Sequence, residues 1–166
     1  MKTISVILSQ EEQGNTGNAL HSIRQNGCDS IVEIKSNDFQ TIETALQEQV
    51  ADYVLLMTDL FALSYDDALR DALSVADGTK LACFGSVYEA DNHNKFEPHW
   101  HNPLLSPSVS SIISHASAFM ACLWSKDVYR NVHLCGGNIY EALIGALLEN
   151  AEQCRFIPLN ILTTPI

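Results

Sequence analysis

The sequence predicts an α/β fold with three layers, αβα, built on a mostly parallel central sheet. Three observations carry this. Short apolar runs rich in β-branched residues recur at residues 4–8, 31–34 and 53–59, as buried strands require. Between them lie segments whose apolar residues fall at helical spacing. The regular alternation of the two favours parallel strands joined by crossovers, with helices on both faces.

Each element can be justified in turn. Ile4, Val6, Ile7 and Leu8 make a first strand, followed by a polar loop over residues 9–17 that holds Gly14 and Gly17. Ala19, Leu20 and Ile23 mark a short amphipathic helix over 18–25, stopped by Asn26-Gly27, a glycine-type terminus. Residues 31–34 form a second strand. Ser36-Asn37-Asp38 suits the end of that strand and the cap of a helix over 39–50, whose face is Ile42, Ala45, Leu46 and Gln49.

The third strand is Tyr53-Val54-Leu55-Leu56-Met57, and it delivers Thr58 and Asp59 to the sheet edge. In open α/β sheets that edge is where ligands bind. An aspartate there is equally suited to a turn or a cap. Ser64 followed by Asp66-Asp67 predicts the start of a helix over 65–75, since acids in a first turn complement the helix dipole. Asp77-Gly78 turns the chain into a fourth strand over 80–87.

Residues 89–109 change character, with Pro98, Pro103, Pro107 and the cluster His99-Trp100-His101. A stretch this long without periodicity predicts a functional loop. Residues 117–124 are apolar enough for another strand, and Ser125 caps a short helix over 126–131. Cys135-Gly136-Gly137-Asn138 turns into a helix over 139–149, with Ala142, Leu143, Ala146 and Leu147 as its stripe. Residues 155–159 predict an edge strand, because Pro158 cannot donate to a ladder.

With 166 residues and 46% hydrophobic content, the chain can bury one core but not two, so 1–166 is expected to be a single domain. Its halves are 1–88 and 111–166, joined by a long loop over 89–110. A formal charge of −11 repels phosphate backbones and anionic membranes, which argues against nucleic acid as a partner. The five cysteines are odd in number and form no CxxC pair. That pattern predicts reduced, mostly buried thiols in a cytoplasmic protein. The first apolar run is too short for a signal peptide, and no segment approaches the ~20 apolar residues of a membrane span.

Several residues carry two readings. Asp38 is either a ligand for a ribose or base, or the cap of the helix at Phe39. Glu141 is either a base or a first-turn partner of the helix dipole. His99 and His101 alternate on an extended segment and would point the same way, as half a metal site with no third ligand nearby in sequence. Trp100 suits either sugar stacking or loop anchoring. Gly14-Asn15-Thr16-Gly17 lacks the Lys-Ser/Thr of a P-loop and is read as a loop.

Taken in order, Ile4-Ser5-Val6-Ile7-Leu8, the segment from Asn18 to Gln25, Ile31-Val32-Glu33-Ile34 and Asp52 to Asp59 resemble the opening of family 2 glycosyltransferases. Ser117-Ala118-Phe119-Met120 resembles the strand after the acceptor loop. Gly136-Gly137-Asn138-Ile139-Tyr140-Glu141 resembles the segment that opens the catalytic-base helix.

The resemblance implies a nucleotide-diphospho-sugar transferase-like fold of A type. Residues 1–88 would bind the nucleotide and 111–166 would face the acceptor, with His99, Trp100 and His101 on the acceptor-side loop. Such enzymes move a sugar from a nucleotide diphosphate to an acceptor hydroxyl, with a carboxylate as base and Mg²⁺ or Mn²⁺ held by a DxD motif. Here Met57-Thr58-Asp59 retains only the second acid, so Asp59 would be the metal ligand. Asp38 and Asp59 would contact the nucleotide sugar. Glu141 would be the base of an inverting transfer, in place of the usual helix aspartate. Three departures from the motifs, at Met57, at Ala142 and in the reduced loop 35–38, keep a second expectation alongside. This is a non-catalytic binding or assembly module of the same fold, as a homo-oligomer or beside a larger enzyme. A third is an unrelated doubly wound ligand-binding domain.

Overall fold

The computed structural model describes residues 2–11, 14–35, 38–90, 95–99, 122–137 and 139–164. Eight strands form one sheet in the order β2-β1-β3-β7-β5-β8-β4, with β6 paired to β5. They are β1 (Ile4–Ser9), β2 (Ser30–Ile34), β3 (Tyr53–Thr58), β4 (Ala62–Leu63), β5 (Leu81–Ala90), β6 (Lys95–His99), β7 (Cys122–Ser125) and β8 (Cys154–Thr164). The helices are α1 (Thr16–Asn26), α2 (Phe39–Glu48), α3 (Ala68–Ala76), α4 (Lys126–Tyr129) and α5 (Ile139–Glu149).

β1 is parallel to both β2 and β3, and β5 is parallel to β8. β7 runs antiparallel to β3 and to β5, which leaves those two strands pointing the same way. Five of the eight strands, β1, β2, β3, β5 and β8, therefore share one direction, as expected from the strand and helix alternation. Val6, Ile7, Leu8, Val54, Leu55 and Met57 are fully buried at the centre, and burying each such side chain contributes on the order of 2 kcal/mol.

Side-chain parity assigns the helices to faces. The Tyr53 hydroxyl lies 3.0 Å from the carbonyl oxygens of both Ala76 and Thr79, so the odd positions of β3 face α3. Ser5, in register with Val54, bonds Ser30 at 2.7 Å, and Ser30 Oγ reaches Gln49 just past α2. The even positions therefore face α2. Helix α1 packs with α3 and ends at Gly27, whose φ of +76° suits a residue without Cβ.

Three expectations are corrected. Residues 89–99 are not wholly loop: β5 runs to Ala90 and pairs with β6, with Ala90 opposite Lys95 and Ser86 opposite His99. Pro98 and the polar residues around it conceal the strand, although an outer strand tolerates proline. The terminal strand is longer than expected and covered on its outer side only near its end: β4 pairs with Leu162 and Thr163, while over residues 155–159 no second strand among the described residues flanks it. β8 runs for 11 residues between β5 and β4, and its register jumps from Phe84↔Ile157 to Gly85↔Asn160. The irregularity falls at Pro158, where the missing N–H cannot join the ladder.

The helix expected from residue 65 begins at Ala68, because Ser64 N donates instead to Ile161 O at 2.9 Å in extending the β4–β8 pairing. The strand expected over 117–124 is described from Cys122 onward, and its earlier residues lie outside the described set. Among the described residues no helix is long and apolar enough to cross a membrane.

Candidate functional site

Because β1 and β3 are parallel and in register, their carboxyl ends coincide at Ser9 and Thr58. The chain leaving β1 then folds back onto the residue that follows β3. Asp59 N donates to Ser9 O at 3.0 Å, and Asn15 N donates to Asp59 O at 2.9 Å. The Asp59 carboxylate accepts from Glu11 N at 2.8 Å through Oδ1 and from Thr16 Oγ1 at 2.7 Å through Oδ2. Asp59 is only 4% exposed, so these bonds replace its water. Gly14 completes the arrangement: a Cβ there would stand 1.7 Å from Asp59 Oδ1. Only a residue without a side chain permits this approach.

Three polar atoms at this end are buried and have no partner: Ser9 Oγ, Glu11 Oε1 and Thr58 Oγ1. Ser9 and Thr58 are in register and share the α2 side of the sheet. A buried unsatisfied polar group costs roughly 1–3 kcal/mol, so each of these atoms calls for a partner such as an ordered water, an ion or a ligand. Ser9 and Glu11 carry no site signal in the sequence, and Gly14 and Thr16 enter it only as parts of a polar loop. The available signal was a glycine placed just ahead of a helix cap, in a loop that returns towards a strand-end acid.

The other predicted site residues are placed as follows. Asp38 caps α2: its Oδ2 accepts from Thr41 Oγ1 at 2.6 Å and from Thr41 N at 3.3 Å. The Thr41 hydroxyl is the main cause holding its exposed carboxyl below the ordinary carboxylate range. It borders a recess of about 660 Å³ between β2 and α2, among whose lining residues Asp59 and Glu141 do not occur.

Glu141 is exposed in the first turn of α5, where its Oε2 accepts from Gly137 N at 2.8 Å. The turn leaves little room beside it: Gly136 has φ +152° with a Cβ position 3.1 Å from Glu141 Cβ, and a Cβ on Gly137 would lie 3.0 Å from the accepting oxygen. His99 sits on β6 opposite Ser86, while Trp100 and His101 lie outside the described residues. Among the described residues, no group of three or more His, Cys, Asp or Glu gathers in metal-binding geometry.

Further space lies at the opposite end of the sheet. Two cavities of about 670 and 400 Å³ share Lys2, Asp52 and Asp77 at the amino ends of the strands. Size alone does not make them the site. Their lining mixes both signs of charge, and Asp52 is engaged with Thr3 N and Oγ1 at 2.9 and 3.1 Å. The buried unpaired groups at the carboxyl ends are the more specific sign of a ligand.

No family model and no curated protein matches the sequence. Solved structures do match. The chain superposes on Staphylococcus aureus TarS 1-349 in complex with UDP-GlcNAc with a TM-score of 0.64 and 9% identity, covering 99% of this chain and 58% of that one. It also superposes on glucosyl-3-phosphoglycerate synthase from Mycobacterium tuberculosis, in complex with Mg²⁺ and UDP, with a TM-score of 0.63 and 12% identity, covering 98% and 71%. The fold is that of the A-type glycosyltransferases. In the longer TarS structure the chain spans 37% of the length, so it matches one part of that protein.

The mycobacterial synthase was solved with Mg²⁺ and with Mn²⁺, which raises the question of whether this A-type fold offers a metal a place. Asp59, the acid that directly follows β3, is buried, and its two oxygens accept from Glu11 N and Thr16 Oγ1. Mg²⁺ needs an accessible carboxylate oxygen together with waters and ligand phosphates. As arranged, Asp59 and the other described residues do not fit a metal.

Proposed function

We propose that the chain is a glycosyltransferase-like domain that binds a nucleotide diphospho-sugar at the carboxyl ends of β1 and β3. One observation carries the reading. Ser9 Oγ, Glu11 Oε1 and Thr58 Oγ1 are unpartnered at the strand ends, in a fold whose neighbours were solved with UDP and UDP-GlcNAc. A nucleoside offers hydroxyl and N–H groups that would satisfy them. The buried Asp59 contributes by holding the 11–16 segment in place, and Asp38 stands at the mouth of the neighbouring recess as a second contact.

Transfer with inversion is the finer part of the proposal. Glu141 would take the proton of the acceptor hydroxyl, the oxygen would attack the anomeric carbon, and the nucleotide diphosphate would leave with the bonding electrons. The Gly137 N–H bond orients the Glu141 carboxylate for that task. A second reading, binding without transfer, is favoured by the commitment of Asp59 to the loop.

Calorimetric titration with UDP- and GDP-sugars, in EDTA and again with Mn²⁺, tests the core of the proposal. Binding at millimolar concentration or tighter is expected in both buffers, and its absence in both would sink the assignment. Release of free nucleotide in the presence of acceptor hydroxyls, reduced about a hundredfold in Glu141→Gln, would select transfer over binding alone.

A further inference from the structure

The sheet ends at β2. Its inner flank pairs with β1, and among the described residues no strand covers its outer flank. The Ile34 carbonyl accepts from Gln10 N at 2.9 Å, so Val32 and Ile34 turn their backbone groups towards β1. Backbone direction alternates along a strand. The N–H and C=O of Ile31 and Glu33 therefore face outward, with Ser30 and Glu33 exposed and Ile31 and Val32 half-buried.

Natural edges are commonly blunted by proline, a bulge or inward charge. The register of β2 on β1 is unbroken from Ser30 to Ile34, and no proline lies in it.

Alongside this edge lies the 660 Å³ recess between β2 and α2. Its charged lining residues are Glu33, Asp38 and Glu48 against Lys35, three carboxylates and one ammonium, a net of −2. We propose that the β2 edge takes up an extended segment of a partner protein bearing basic side chains, which adds to the sheet as a further strand and lays its cations along this recess. Strand addition draws its affinity from main-chain hydrogen bonds and its selectivity from the alternate side chains. The five residues of β2 offer about 17 Å of edge at ~3.3 Å per residue. A second copy of this chain is disfavoured as the occupant, because each copy carries −11 and would set acids against acids.

The test uses the full chain, a hexapeptide of alternating lysine and valine, and its glutamate–valine counterpart. Binding is followed by calorimetry and by amide hydrogen exchange. The basic peptide is expected to bind, to slow exchange at the Ile31 and Glu33 amides, and to lose affinity at least tenfold in the double variant Glu33→Lys, Glu48→Lys. Glu33→Pro removes one outward donor without touching the β1 ladder and is expected to abolish binding. Should that variant fail to fold, the charge-reversed one, which keeps every backbone donor, still decides. Four results would overturn the proposal: no binding at millimolar peptide, equal binding of the acidic peptide, protection away from β2, or a dimer formed through β2 in sedimentation.

Discussion

Two aspartates bracket β3, and both tie it to β1. Asp52, before the strand, accepts from Thr3 N and Thr3 Oγ1, while Thr3 Oγ1 accepts in turn from Asp52 N at 2.9 Å. Asp59, after the strand, accepts from Glu11 N and Thr16 Oγ1. The bond lengths are similar, but the surroundings are not. Asp52 is half-buried and borders open cavities, so water can replace a lost partner. Asp59 is 4% exposed, and its partners would be left without one. The same residue type at two ends of one strand is therefore a modest clip at one end and the anchor of a loop at the other.

The sharpest way to break this comparison is Asp59→Ala. It strands Glu11 N and Thr16 Oγ1 and is expected to cost about 3 kcal/mol, since bonds to charged groups and unpaired buried donors are each worth about 1–3 kcal/mol. Chemical denaturation measures the loss. A change under ~1 kcal/mol would show that the two aspartates are equivalent after all.

Gly14→Ala comes next, at about 2 kcal/mol, the usual size of an overpacking penalty. The new Cβ falls 1.7 Å from Asp59 Oδ1, so it must push the carboxylate off its partners. The double variant Gly14→Ala, Asp59→Ala should then cost little more than Asp59→Ala alone, a non-additivity that a double-mutant cycle reads directly.

At the amino end the effects shrink. Tyr53→Phe removes the buried hydroxyl between Ala76 O and Thr79 O and should cost about 1 kcal/mol, visible as a lower midpoint of unfolding.

Asp52→Asn sharpens the comparison through pH. Hydrogen bonds from the Thr3 backbone and hydroxyl hold the Asp52 carboxyl below its ordinary value, with smaller help from Lys2 and Lys126. A depressed folded value means that the stabilisation is present above the unfolded value of about 4 and is lost as pH falls through the folded one. The substitution is thus expected to lower stability modestly at pH 7, where the ionised carboxylate contributes, and to flatten the fall in stability below about pH 4. An unchanged acid limb would remove Asp52 from the acid response.

How much of this was legible in the chain differs between the halves. Over the first 60 residues β1 takes β2 and β3 as parallel neighbours through simple crossovers, and local pattern and global fold coincide: β1, β2, β3 and α2 all fall close to where apolar periodicity puts them. Asp38 as a cap was also readable, because a cap needs only the next three residues. In the second half the partners are remote. β7 is inserted between β3 and β5, and β8 reaches across to β4. Proline and polar residues mask β6 and the middle of β8.

The sequence by itself determined the α/β alternation, the single core, the acidic surface and the presence of an acid at the end of β3, because composition and periodicity are local properties. Tertiary structure decided what that acid does. Whether Asp59 faces solvent or a returning loop depends on Glu11, Gly14 and Thr16, 43 to 48 residues earlier in the chain for the two that bond it. Only the parallel pairing of β1 with β3 brings them within hydrogen-bond reach. Burial there converts a strand-end carboxylate, equally suited to a metal or a cap when read from the chain, into the buried anchor of the 11–16 segment.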